Sequence, residues 1–390
     1  MKYLLLTFFC LSITLSTIAQ DSHITFETEN WEAALQKAKA ENKIIFVDAY
    51  TTWCGPCKMM AKNVFTDQAV SDYYNEHFIN MKIDMEKGEG ILFSRAYDIR
   101  AYPTYVFVDA HGEIAHKGLG YMEPDKFIAF GEAASDEDNR LGTLAMRYQK
   151  GDRSPELLKQ YAEVLSDAYD NQAGDIAEAY LMEQQDWSTP ENAKFLVTMA
   201  KPDPKSKLYQ YMASNRQTLL SLVDPSQLDE TLKAGAMLEI QAKNMTYDEQ
   251  ETHFHTLFKD KGGEYFAEYN MRKYSRFGDD EKKKEKYLEA ASHYINTYHI
   301  SNWRLLNAVA WNFYESTDDK SYLNHAMKWA TTSVNEDSNY MNNDTAAAVA
   351  FKLGDKKTAS FYAQQAIKLA KESGEDYAET SKLLEKIQAL

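Results

Sequence analysis

The apolar positions in the first third of the chain change period several times, and each change predicts an element. A short strand is expected around Ile24–Phe26. Trp31, Ala34, Leu35 and Ala38 recur at helical spacing, so a helix is expected over 31–41. Ile44–Tyr50 is a near-continuous apolar run, as in a strand covered on both faces of its sheet. A helix follows from the cysteine pair to about Phe65, and Asp67 stands where it can cap another over Gln68–His77. Ile79, Met81 and Ile83 alternate with Asn80, Lys82 and Asp84, which reads as a strand. Gly88–Tyr97 reads as a loop and helix. Tyr105–Val108 and Ile114–Lys117 read as a hairpin turning at His111-Gly112, and Pro124 opens a last helix through about Ala134. The predicted order is β-α-β-α-β-α-β-β-α, a mixed sheet with helices on both faces.

Beyond a polar stretch, Ser135–Arg140, the pattern changes. The expected linker is 136–140, separating a domain over 21–135 from one over 141–390. The second part has almost no β-branched runs and is rich in Ala, Leu, Lys, Glu and Tyr at spacings of three and four. It predicts about a dozen helices and no strand. Thr189-Pro190 and Asp224-Pro225 look like helix starts, with proline in the first turn. Near the end, Ala326, Trp329, Ala330 and Val334 fall into register with Ala359, Tyr362, Ala363 and Ile367 after a shift of 33 residues. That period resembles tetratricopeptide repeats and predicts an all-α helical-hairpin array. Its aromatics, among them Trp303, Trp311, Trp329 and Tyr362, are expected in the core.

Composition adds limits. With 44% hydrophobic and 26% charged residues in 390, the chain has enough apolar surface for two or three packed domains. Residues 1–20 carry one lysine and then an apolar run ending in small and polar residues, the pattern of a secretory signal peptide cleaved after Ala19 or Gln20. The chain is therefore expected to be exported, into a periplasm. A net charge of −16 argues against nucleic acid and anionic membrane surfaces as partners.

Cysteine use then narrows the chemistry. The sequence has three cysteines, and Cys10 lies in the leader, so Cys54 and Cys57 are what the exported chain would keep. A disulfide framework normally needs more cysteines, and a zinc site needs about four ligands. No second Cys pair or paired-His motif is present, and His253 and His255 read as ordinary polar residues on a helix, so no metal is expected. A redox pair remains. Val47–Lys58 reads as a strand running into a turn and a helix, with Cys54 at the helix start. Helix N–H groups and dipole there stabilise a thiolate. Cys57, one turn later, is placed to attack a mixed disulfide formed at Cys54. Asp48, within the apolar run, is expected to be buried with a raised pKa and to carry a proton to or from Cys57. Trp53 reads either as a hydrophobic lip beside Cys54 or as simple packing, and Lys58 as a solvated lysine.

These residues carry a resemblance. Trp53-Cys54-Gly55-Pro56-Cys57-Lys58, Asp48 upstream, Tyr102-Pro103-Thr104 before the hairpin and Gly118 or Gly120 after it resemble the α/β thioredoxin fold. Val64-Phe65-Thr66-Asp67 and Asp109-Ala110-His111-Gly112 look more like exported bacterial thiol:disulfide interchange proteins than cytosolic thioredoxin. The resemblance implies a cis Pro103 that holds Tyr102 where its backbone can pair with a substrate strand. The Gly-Pro between the cysteines implies a reductase. The resemblance also implies recharging by a membrane electron-donor thiol–disulfide protein, since no flavin or nicotinamide motif is present and no cofactor beyond the Cys54–Cys57 pair is expected. One departure stands out. Cytosolic thioredoxin has a lysine near its buried aspartate, and the aligned position here is Asn80.

Two functions follow. One is an exported oxidoreductase acting on protein disulfides, with the helical part binding clients or partners. The other is an interaction scaffold of helical repeats carrying a secondary thioredoxin-like docking module.

Overall fold

The structure is a computed structural model that describes residues 23–28 and 30–389. The leader expected over 1–20 lies outside them. The chain divides into two compact units. One holds the residues up to Lys201 with 206–208 and 217–228; the other holds 202–205, 209–216 and the residues from Asp229 onward.

In the first unit, α1 (Trp31–Glu41) leads into β1 (Ile44–Tyr50), then α2 (Gly55–Asn63), α3 (Gln68–His77), β2 (Phe78–Asp84), α4 (Gly90–Ala96), β3 (Thr104–Val108), β4 (Ile114–Leu119) and α5 (Pro124–Ser135). The strands form one mixed sheet in the order β2-β1-β3-β4. β1 is central, parallel to β2 and antiparallel to β3, and its five inner residues are buried, which is why it reads as an unbroken apolar run. Its alternate side chains enter two cores. Phe46 packs with Tyr74, Phe107 and Phe127 on one face, and Ile45 and Val47 pack with Ile79, Val106 and Phe93 on the other. Asp67 caps α3 as expected, accepting from the N–H groups of Ala69 and Val70.

The strand expected at Ile24–Phe26 is not one. The segment is extended, with Ile24 buried, but it joins no ladder. Ile24 N–H donates to Phe65 O, Thr25 N–H to the Asn75 side chain, and Glu27 N–H to Asn80 O. One side-chain amide, the turn after α2 and a single main-chain bond to β2 satisfy these N–H groups, too few bonds to β2 for a ladder.

After Asp136 the chain turns at once. Asn139 and Arg140 N–H donate to Asp136 O, and α6 (Leu141–Gln149) starts beside β4. The backbones approach so closely that a Cβ on Gly142 would lie 2.5 Å from Ile114 O. Then come α7 (Pro155–Asp167), α8 (Ala173–Met182), α9 (Pro190–Met199), α10 (Lys207–Leu219, kinked at Asn215) and α11 (Pro225–Lys243). Pro190 and Pro225 open their helices, as the sequence predicts.

The second unit continues with α12 (Tyr247–Phe258), a 3-10 turn, α13 (Gly262–Tyr274), α14 (Glu281–Tyr298), α15 (Trp303–Ser316), α16 (Lys320–Glu336), α17 (Tyr340–Leu353), α18 (Lys356–Ser373) and α19 (Ala378–Ala389). No strand occurs among the described residues after 140. Ala326, Trp329 and Ala330 of α16 and Ala359 and Ala363 of α18 are buried, so the repeated positions are core positions. Within this unit the Arg216 guanidinium forms a buried two-bonded pair with Asp229, which also accepts from the Tyr265 hydroxyl.

Candidate active site

Cys54 is the N-cap of α2, held in extended conformation, and its Sγ accepts the Cys57 N–H at 3.1 Å. Gly55 and Pro56 fill the first turn, where a missing N–H costs nothing. A charge on Cys54 Sγ would therefore meet a backbone donor and the positive end of the helix. The two sulfurs are joined as a disulfide with Cα atoms 5.3 Å apart. Both cysteines are buried in this oxidised state, whereas Trp53 beside them is 65% exposed.

Asp48 sits near the end of β1, 1% exposed, between Lys82 on β2 and Tyr105 on β3 in the strand register. Neither carboxylate oxygen has a hydrogen-bond partner, and the buried Thr51 and Tyr105 hydroxyls also lack one. Burial pushes Asp48 up to about 6, a rise that the nearby Lys82 charge partly offsets. Burial and the Asp48 charge together push the Tyr105 phenol well above its usual value. A carboxyl with these properties exchanges its proton close to neutral pH.

The lysine absent at Asn80 is supplied two residues later. Lys82 Nζ lies 3.4 Å from Asp48 Oδ2, an ion-pair distance without hydrogen-bond geometry. Its Nζ also lies 4.9 Å from the Tyr50 ring centre, 5.7 Å from Phe26 and 5.8 Å from Phe65. Asn80 serves the backbone instead: its Nδ2 donates to Tyr74 O. The sequence held one clue to Lys82. It occupies the polar phase of a strand whose parallel register sets residue 82 against 48.

The Tyr102–Pro103 bond is cis, as the resemblance implies, and Pro103 is buried. Tyr102 packs edge-on against Trp53, with ring centres 6.0 Å apart. The Trp53 indole N–H donates to Glu86 at 3.0 Å, so a carboxylate missed in the sequence fixes the ring. Trp53, Tyr102 and Pro103 are thus brought together at one rim. Lys58 is exposed, and His253 and His255 lie on α12, away from this site in the chain and in the other unit.

Comparison with known proteins places this geometry. The profile of a family described as a thioredoxin-like domain matches residues 31–135. Thioredoxin H4 of Arabidopsis thaliana is 34% identical over 95 residues, which is 24% of this chain and 75% of that protein. The thiol:disulfide interchange protein DsbD of Pseudoalteromonas atlantica is 32% identical over 118 residues, 28% of this chain and 20% of that protein. Among solved structures, a candidate disulphide-isomerase from Bacteroides thetaiotaomicron is 41% identical with a TM-score of 0.28, covering 30% of this chain and 98% of that one.

Proposed function

This chain belongs to the thioredoxin-like family and is a thiol–disulfide oxidoreductase, and on that footing we propose that it works as an exported, periplasmic reductase of protein disulfides. The observation that carries the proposal is the Cys54–Cys57 disulfide at the start of α2; Asp48, a buried carboxyl with a pKa of about 6 near the end of β1, is the base we assign to it.

In the reduced protein, the Cys54 thiolate attacks one sulfur of a client disulfide. A Cys54–client disulfide forms and one client thiolate leaves. Cys57 gives its proton to the Asp48 carboxylate and attacks Cys54 Sγ, releasing the second client thiolate. The client gains two electrons, and the protein is left with the Cys54–Cys57 disulfide. Tyr102 and cis Pro103 offer main chain to the client strand, and Trp53 covers its apolar flank. A membrane electron-donor thiol–disulfide protein returns two electrons to the pair, and no cofactor takes part. The likeness to DsbD, a thiol:disulfide interchange protein, supports the exchange chemistry. Among the described residues no helix is long and apolar enough to cross a membrane. The helical part binds clients or partners.

The test is reduction of a model protein disulfide with a small dithiol as donor. The native protein is expected to accelerate it across pH 6–8, and Cys54→Ser to abolish the acceleration. Inactivity of the native protein would leave the scaffold reading. Cys57→Ala is expected to trap clients on Cys54; clients recovered equally well without residues 141–390 would remove the helical part from client choice.

A further inference from the structure

A groove of about 500 Å³ runs along the second unit, formed by α12, α13 and α14. Its floor is one face of α13: Gly263, Phe266, Ala267, Asn270 and Tyr274, at helical spacing. One wall is Tyr247, Glu251 and His255 of α12, and the other is Lys286, Glu289 and His293 of α14. All six wall residues are exposed, so the groove opens to solvent along its length. From Gly263 to Tyr274 the floor runs roughly 16 Å, at the rise of an α-helix. About five residues of extended polypeptide span that distance.

One floor atom points to a ligand. Asn270 is 7% exposed, and its Nδ2 donates to Phe266 O at 3.0 Å, which fixes the amide orientation because only the nitrogen can donate to a carbonyl. Its Oδ1 is buried and has no partner. Buried polar atoms are otherwise paired, and each exception calls for a reason. The missing partner is an N–H or O–H donor. Gly263 keeps that end of the groove deep, since a Cβ there would lie 2.8 Å from the Tyr298 hydroxyl and 3.5 Å from the His255 ring.

Charge narrows the occupant further. Two carboxylates, Glu251 and Glu289, and one ammonium, Lys286, line the groove; Lys286 Nζ lies 5.4 Å from the Tyr274 ring centre, and Lys273 Nζ, which donates to Gln250 outside the lining, lies 5.6 Å from it. The rings of Tyr247, Phe266 and Tyr274 line the same groove. Carboxylates combined with aromatic faces suit a cationic side chain, and a single lysine does not suit a phosphate. We propose that this groove holds an extended polypeptide segment carrying a basic side chain, with a backbone N–H on Asn270 Oδ1 and the basic group between Glu251 and Glu289. The proposal rests on the reading of the helical part as a client-binding region and gives it a place and a preference.

The experiment uses the full chain and two fluorescein-labelled peptides without cysteine. One is built of Gly, Ser and Tyr with lysine at every third position, and the other has glutamate in place of lysine. Since neither peptide can form a disulfide, their binding is read independently of the redox assay. Either activity can fail alone. Fluorescence anisotropy is expected to show the lysine peptide binding at least about tenfold more tightly than the glutamate peptide. Asn270→Leu is expected to weaken the lysine peptide about tenfold, the effect of one lost hydrogen bond to a buried acceptor. The same variant keeps or raises the melting temperature, because it removes an unsatisfied polar atom. Glu251→Gln with Glu289→Gln should weaken binding likewise. Glu372→Gln with Glu385→Gln, which removes equal charge from α18 and α19, should leave it unchanged. No binding by the native chain, no loss in Asn270→Leu, or an equal loss in the α18–α19 variant would each overturn the proposal.

Discussion

Asp48→Asn is the most informative single change, because the structure predicts that it stabilises the oxidised protein while impairing the chemistry. The Asp48 carboxyl rises from 3.8 to about 6 on folding. An acid held above its unfolded value binds its proton more tightly in the fold. The fold therefore suffers no penalty below pH 3.8, loses stability as pH climbs through the interval, and bears the full penalty above pH 6. Two pKa units correspond to roughly 3 kcal/mol at pH 7. The asparagine amide introduces buried N–H groups without partners, at a cost of about 1 kcal/mol. Lys82, whose side chain is 30% exposed, keeps contact with water when its partner loses charge. The net gain is roughly 2 kcal/mol at pH 7 and crosses zero at about pH 4.5, below which the cost of the amide remains. Hydrogen exchange followed by mass spectrometry on peptides covering 44–50 and 104–108 reads this unit separately from the other. Variant and native protein, both oxidised, are compared at each pH so that intrinsic exchange rates cancel. The variant should exchange about thirtyfold more slowly at pH 7 and no more slowly than native at pH 4. Exchange as fast as native at pH 7, or a difference independent of pH, would refute the reasoning.

Other changes follow from the same structure. Lys82→Met removes the charge that holds Asp48 down, so the acid limb of the pH–rate profile for disulfide reduction should move to higher pH; an unmoved limb would separate Lys82 from the titration. Asp229→Ala leaves the Arg216 guanidinium buried and unpaired, and thermal unfolding of the helical unit should show a loss of roughly 3–5 kcal/mol. Gly142→Ala forces α6 away from the Ile114 carbonyl, and exchange over 114–119 and 141–149 should quicken by the equivalent of about 1–3 kcal/mol.

What the sequence made legible was whatever depends on neighbours along the chain. The apolar run Ile44–Tyr50, the cysteines at a helix start, the cap at Asp67 and the prolines opening α9 and α11 are all local signals. Pro103 and Asp48 were legible through the company they keep in a familiar fold. What stayed hidden depends on pairing between distant segments. Lys82 becomes the partner of Asp48 only through the parallel register of β1 and β2. Glu86 meets Trp53 across 33 residues. Ile24–Phe26 has strand-forming residues, yet the Ile24 and Thr25 N–H groups go to the Phe65 carbonyl and the Asn75 side chain rather than to a strand. The Asn270 groove needs three helices in place before its polar floor is visible, since an asparagine in an amphipathic helix gives no sign of lacking a partner.

The first and last ladders of the sheet share a property with a practical result. Glu27 N–H takes up the Asn80 carbonyl on the flank of β2, and α6 lies hard against Ile114 on the flank of β4. A bare row of main-chain groups at a sheet edge invites another strand to lengthen it. Here both rows are partly screened, so self-association by strand addition is discouraged.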